Sequence, residues 1–161
     1  MRAIKSDPKD TNTLFKYGTF LDKHLDYSEA EEFYLRSLES DPYHSNCLCV
    51  YADFLACNKK EFDLAEEFYQ CAIKADKSNP FAFNNYACLL LYRKKTEKVE
   101  FYFKKAIQID EENPNILLNY SICLQELNKP EEASIWFDKY KEQKDLLRTI
   151  SFSEIRDSMD L

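Results

Sequence analysis

Four tyrosines, Tyr17, Tyr51, Tyr86 and Tyr120, recur at intervals of 34, 35 and 34 residues, and other columns keep step with them. The residue after each is small (Gly18, Ala52, Ala87, Ser121), and a leucine stands four positions after each (Leu21, Leu55, Leu90, Leu124). A second small column, Ala30, Ala65, Val99 and Ala133, is followed four residues later by Tyr34, Tyr69, Phe103 and Phe137. A fixed period of this length over four copies marks stacked supersecondary units, each burying its apolar face only against its neighbours. A stack of that kind presents a long shaped surface rather than a reaction centre, so the pattern predicts a binding module.

Each unit reads as a helical hairpin. Apolar residues return at helical spacing in two successive stripes, as in Phe83, Tyr86, Ala87 and Leu90 followed by Val99, Phe103, Ala106 and Ile107. One glycine and five prolines in 161 residues are too few for an all-β chain with many turns, so the fold is expected to be all-α. The prolines punctuate the hairpins. Pro8 and Pro42 follow helix ends, Asn79-Pro80 and Asn113-Pro114 place an N-cap before a first-turn proline, and Pro130 opens a second helix. Asp7, Asp41, Asp76 and Asp110 close the second helix of each unit. The one extra residue in the 35-residue interval lies between Leu55 and Phe62, where it is expected to lengthen a turn at little cost.

The ends depart from the pattern. Ala3, Ile4, Asp7 and Pro8 align with Ser37, Leu38, Asp41 and Pro42, so residues 1–11 read as the tail of a preceding degenerate or truncated repeat. Repeats then follow at 12–44, 45–79, 80–113 and 114–147, with a capping helix or tail at 148–161. The last repeat's second helix is expected from Glu131 to about Leu147. Ser151 and Glu154 then form a capping box for a short helix through about Met159, whose Ile150, Phe152, Ile155 and Met159 would cover the open end. An exposed stacking face on the first hairpin would favour self-association.

Charge and side-chain chemistry exclude several function classes. The formal net charge of −7, with lysines scattered among glutamates, argues against a nucleic-acid partner, which requires clustered basic groups. The longest nearly unbroken apolar run, from Ala87 to Tyr92, falls far short of the roughly 20 residues that cross a bilayer. No membrane contact is expected, and the cytoplasm or nucleus is the expected compartment. None of the six cysteines forms a CxxC, and Cys47 and Cys49 point roughly 200° apart around a helix, so free thiols are expected rather than disulfides or a metal site. His24 and His44 lack a partner pattern for nucleophilic catalysis and read as surface or capping residues. The pairs Glu31-Glu32, Glu66-Glu67 and Glu131-Glu132 fall near the starts of second helices, where acidic groups suit the helix dipole. No cofactor motif is present, and the chain is expected not to be an enzyme.

A tyrosine followed by a small residue, a leucine four on, an alanine then an aromatic four later, and a closing Asp-Pro resemble the tetratricopeptide repeat (TPR). Tyr17-Gly18, Leu21, Tyr27, Ala30, Tyr34 and Asp41-Pro42 carry the resemblance in the first copy, and it covers about residues 12 to 147. It implies a right-handed α-solenoid of four TPR-like helical hairpins plus a C-terminal capping helix. Val99 and Tyr140 depart from it, each bulky where the other copies are small. Tyr140 therefore predicts that the last helix packs on something other than a fifth repeat.

The resemblance further implies that the first helices of successive hairpins line a concave groove. The stripes facing it supply the candidate peptide-binding residues Lys16, Val50, Asp53, Phe81, Asn85, Cys88, Tyr92, Asn119 and Ile122. Asn85 and Asn119 stand directly before their tyrosines, where an amide can pair with peptide backbone. They resemble two rungs of an asparagine ladder, and satisfying neighbouring groups of the fold is the other role open to them. Phe81 and Tyr92 are either anchors for a partner or core. The groove offers no basic pair for a terminal carboxylate. The expected function is a non-catalytic scaffold binding an extended peptide or partner helix. The alternative is the substrate-recognition segment of a larger enzyme such as a glycosyltransferase. An RNA-processing scaffold is disfavoured by the acidic surface.

Overall fold

The computed structural model describes residues 10–159, with side chains described through Arg148. Eight α-helices run α1 (Thr11–Lys23), α2 (Tyr27–Ser40), α3 (Ser45–Phe54), α4 (Phe62–Ala75), α5 (Pro80–Tyr92), α6 (Val99–Ile109), α7 (Pro114–Glu126) and α8 (Pro130–Met159). They pair as four antiparallel hairpins, and no strand occurs among the described residues. The aligned tail at Met1 to Pro8 lies outside the described residues.

Every first helix opens on a side-chain cap, which satisfies backbone N–H groups that the helix itself cannot. Asp10 accepts from the Thr13 amide at 2.7 Å, and Asn79 from Phe81 at 3.1 Å. Asn113 accepts from Asn115 at 3.1 Å and Ile116 at 3.4 Å. His44 is the fourth cap: its Nδ1 accepts from the Cys47 amide at 3.3 Å, leaving Nε2–H to donate to Asn12 Oδ1 at 3.2 Å.

Each hairpin turn uses one residue in the left-handed region, Leu25 (φ 64°), Lys60 (φ 61°), Lys94 (φ 58°) and Asn128 (φ 59°). The next amide returns to the carbonyl of the leucine column: Asp26 to Leu21, Glu61 to Leu55, Lys95 to Leu90 and Lys129 to Leu124, at 2.8–3.0 Å. This is how a helix with no glycine at its end closes its last carbonyls. The additional residue of the second repeat enters the helix instead of the loop, widening Leu55–Lys59 into a π-helical turn that leaves the Leu55 carbonyl in register with its counterparts.

The columns are the core. Ala30, Ala65, Val99 and Ala133 are all 0% exposed, and so are Ala52 and Ala87. At Gly18 a Cβ would sit 2.9 Å from Tyr34 Cδ1 and 3.3 Å from the Ala30 carbonyl, so the first hairpin is drawn tighter than an alanine admits. Ser121 fills the same position in the last hairpin and donates its hydroxyl to the Ala133 carbonyl at 3.1 Å, satisfying a buried polar group. Each second-helix aromatic packs on the tyrosine of the next repeat: Tyr34 on Tyr51 at 6.1 Å, Tyr69 on Tyr86 at 6.0 Å, and Phe103 on Tyr120 at 5.6 Å between ring centroids.

Phe137 belongs to that column yet is 40% exposed, and among the described residues no tyrosine of a following repeat packs on it. Its ring lies 5.7 Å from Tyr140, which stands where Ser37, Ala72 and Ala106 are fully buried. Beyond it, α8 continues unbroken through Ser151 to Met159, so the segment expected as a separate short helix is a continuation of the last hairpin.

Ion pairs join successive repeats. Glu31, Glu66 and Glu100, spaced as the other columns are, take the ammonium groups of Lys59, Lys95 (2.7 Å) and Lys129 (2.6 Å) from the following turn. Tyr51 and Tyr86 donate their hydroxyls to Glu31 and Glu66, and Arg93 adds a second cation at Glu66. Lys129 holds the Glu100 carboxyl below its ordinary value. For Glu31 and Glu66 the structure therefore shows a joint between repeats, beyond the dipole role that their position suggests.

Candidate functional site

The first helices α3, α5 and α7 touch one another directly, while the second helices stay further apart. The stack therefore curves with its first helices on the inside. Two adjoining recesses open on that side. One, of about 340 Å³, lies between the π-helical turn, α4 and α5 and is lined by Asp53, Ala56, Cys57, Lys60, Phe62, Tyr69, Asn85, Cys88, Leu89 and Tyr92. The other, of about 430 Å³, lies between α5 and α7 and is lined by Cys88, Leu91, Tyr92, Lys94, Asn119, Ile122 and Glu126. Cys88 and Tyr92 belong to both, so the recesses form one trough across three hairpins.

Six of the nine predicted residues line this trough: Asp53, Asn85, Cys88, Tyr92, Asn119 and Ile122. Tyr92 is 68% exposed, with its ring 5.4 Å from Phe62, so it is a surface aromatic rather than core. Phe81 is also exposed, but it stands at the first turn of α5 and lines neither recess. Val50 is half-buried against the core. Lys16 is exposed on α1 and outside both recesses.

The asparagines are tied to the protein. Asn119 donates to Asn84 Oδ1 at 3.2 Å, Asn84 donates to Asn85 Oδ1 at 2.8 Å, and Asn85 donates to Asp53 Oδ2 at 2.9 Å. The remaining Asn85 donor points at Cys49 Sγ, 3.8 Å away. A relay of amides thus runs across α7, α5 and α3 and ends on a carboxylate. Asn85 has no free N–H to offer a peptide, which favours its role within the fold over that of a ladder rung.

Asp53 receives a second hydrogen bond, on Oδ1, from the Tyr69 hydroxyl. Burial pushes its carboxyl above the ordinary value, the bonds from Tyr69 and Asn85 oppose that, and the charge of Asp22 adds to it. Among the described residues it has no ion-pair partner. Lys60 lines the same recess but donates to the Cys57 carbonyl at 2.7 Å. Burial pushes Cys88 up to about 12, so its thiol stays neutral and serves as apolar wall. No group of three metal-binding side chains occurs among the described residues.

Reasoning from sequence missed Tyr69, Phe62 and Asn84 here. Tyr69 sits in a column whose partners read as core, and its ring is indeed buried while its hydroxyl reaches the trough. The adjacency of Asn84 to Asn85 was the available signal for the relay.

Comparison with known proteins bears on the fold. A family model of the tetratricopeptide repeat matches residues 90–146. No curated protein matches the sequence. Among solved structures, one titled as the functional characterization of Pseudomonas aeruginosa pilF is 21% identical, with a TM-score of 0.76 over 98% of this chain and 74% of that one. PilW, titled a widely conserved type IV pilus biogenesis factor, is 18% identical, with a TM-score of 0.79 over 89% of this chain and 66% of that one. YrrB, titled a TPR protein with an unusual peptide-binding site, is 19% identical, with a TM-score of 0.69 over 88% of this chain and 73% of that one. At these identities the likeness speaks to the fold. The family match runs from the end of α5 into α8, and with the same columns and packing in all four hairpins the chain has the fold of the tetratricopeptide repeat.

Proposed function

We propose that this chain is a protein-interaction scaffold with no chemistry of its own, holding an extended peptide or partner helix against α3, α5 and α7. The observation that carries this reading is the trough: two joined recesses with apolar walls, flanked by Tyr92 (68% exposed) and Ile122 (45% exposed). Large apolar side chains grouped on a concave surface, with a few fixed polar atoms between them, are what binding sites use for anchoring and orientation. YrrB, whose title names a peptide-binding site, lends support by its similar fold.

The test compares affinity capture by the wild-type chain with capture by Tyr92→Asp and Ile122→Asp. Both residues are exposed, so the fold tolerates the change. Phe101→Asp, at an exposed position on the second helix α6, is the control. Loss of the same captured proteins in both trough variants and their retention in the control is the expected result. Equal capture by all four proteins would refute the proposal.

A further inference from the structure

Three part-buried glutamates between repeats are matched. Glu31, Glu66 and Glu100 each take a lysine from the following turn. Asp53 differs: it is desolvated, has no cation against it among the described ion pairs, and forms part of the wall of the 340 Å³ recess. Asp53 is half-buried, and holding a partly desolvated carboxylate with no cation beside it carries a cost that a countercharge arriving from outside would relieve.

We propose that this recess is a pocket for a lysine or arginine side chain of the bound peptide, its methylene stem lying along Phe62 and Tyr92 and its cationic head meeting the Asp53 carboxylate. The inference rests on the trough being a peptide site. Geometry supports it in three ways. Tyr69 and Asn85 hold the carboxylate by one bond to each oxygen, so no reorganisation is needed when a cation arrives. Each oxygen keeps a second lone pair for an incoming N–H. Phe62 and Tyr92, with ring centroids 5.4 Å apart, offer the aromatic and apolar wall against which long basic side chains bury their stems.

The surrounding charge agrees. Lys60, the cation that shares the recess, is engaged with the Cys57 carbonyl. Asp22 adds its negative potential to that of Asp53, and the whole chain carries −7, which draws a basic peptide toward the trough.

The experiment selects a phage-displayed library of random 12-residue peptides on the immobilised intact chain, with Tyr92→Asp as the counter-target. Enriched peptides are synthesised and measured by fluorescence polarisation. One position fixed as Lys or Arg is the expected result. Replacing that residue by norleucine, which keeps the stem and removes the charge, is expected to weaken binding by about tenfold or more, and Asp53→Asn to do the same to the basic peptide. The norleucine arm needs no change to the protein, so it holds even if Asp53→Asn disturbs the fold. Enriched peptides without a fixed basic residue, or a basic peptide bound equally well as norleucine or by Asp53→Asn, would overturn the pocket and leave the trough standing. Failure of any peptide to enrich over Tyr92→Asp would instead overturn the trough itself.

Discussion

Phe103 and Phe137 occupy one column of the repeat, yet the structure gives them different surroundings, and that difference sets a quantitative test. Phe103 is 0% exposed, enclosed by its own hairpin and by Tyr120 of the next. Truncation to alanine there removes the ring and leaves a cavity that neighbours on both sides keep from collapsing, at about 3–5 kcal/mol. Phe137 is 40% exposed. Its side chain gains only part of the roughly 1.5–3 kcal/mol of full burial, and its removal opens onto solvent, so Phe137→Ala should cost about 1–2 kcal/mol. Urea unfolding followed by helical circular dichroism yields both values by linear extrapolation. Emission from Trp136, the chain's one tryptophan, packed 5.2 Å from Tyr120, checks whether the last hairpin unfolds with the rest, as repeat stacks need not. Equal losses, or a larger loss at Phe137, would refute the claim that each aromatic is buried by the repeat after it.

Three further outcomes follow from named atoms. Leu25→Gly should raise stability by about 1 kcal/mol in a thermal melt, because Leu25 holds φ at 64° and is 70% exposed; destabilisation would contradict the left-handed turn. Asn113→Ala removes the acceptor for two amides at the start of α7 and should lower stability by about 1 kcal/mol, while an unchanged midpoint would show the cap to be unimportant. The Asp53 carboxyl is raised by burial above its ordinary 3.8, so its contribution to folding is complete below that value and is lost as pH rises through its folded value. The wild type should therefore lose stability relative to Asp53→Asn as pH rises above 3.8, and a relative gain on that rise would reverse the assignment.

The fold was largely legible because its determinants are local and repeated. Column spacing, Asn-Pro starts and the buried tyrosine-to-small-residue pairs follow from helix geometry alone. The turns were less so: with Leu25, Lys60 and Lys94 at positions that usually take glycine, nothing in composition marks them. The π-helical turn was visible only as one surplus residue, and whether such a residue enters a loop or a helix depends on the register of the Leu55 carbonyl. At the site, helical spacing found the correct face but not the depth. Val50 and Asn85 share that face, yet one packs on the core and the other is bonded between helices. Of the inter-repeat pairs, Glu31 and Glu66 were read in register but Glu100 was not, and their lysines come from the following turn, which hairpin-by-hairpin reading does not bring together.

The claim on which the functional account turns is that peptide is held on the inner, first-helix face of the stack. Amide chemical-shift mapping of the intact chain, titrated with a peptide selected on it, tests this residue by residue. The account predicts shifts concentrated at Asp53, Cys88, Tyr92, Asn119 and Ile122, with α4 and α6 positions such as Cys71 and Phe101 unmoved. Shifts centred on Cys71 and Phe101, with Tyr92 and Ile122 silent, would contradict it.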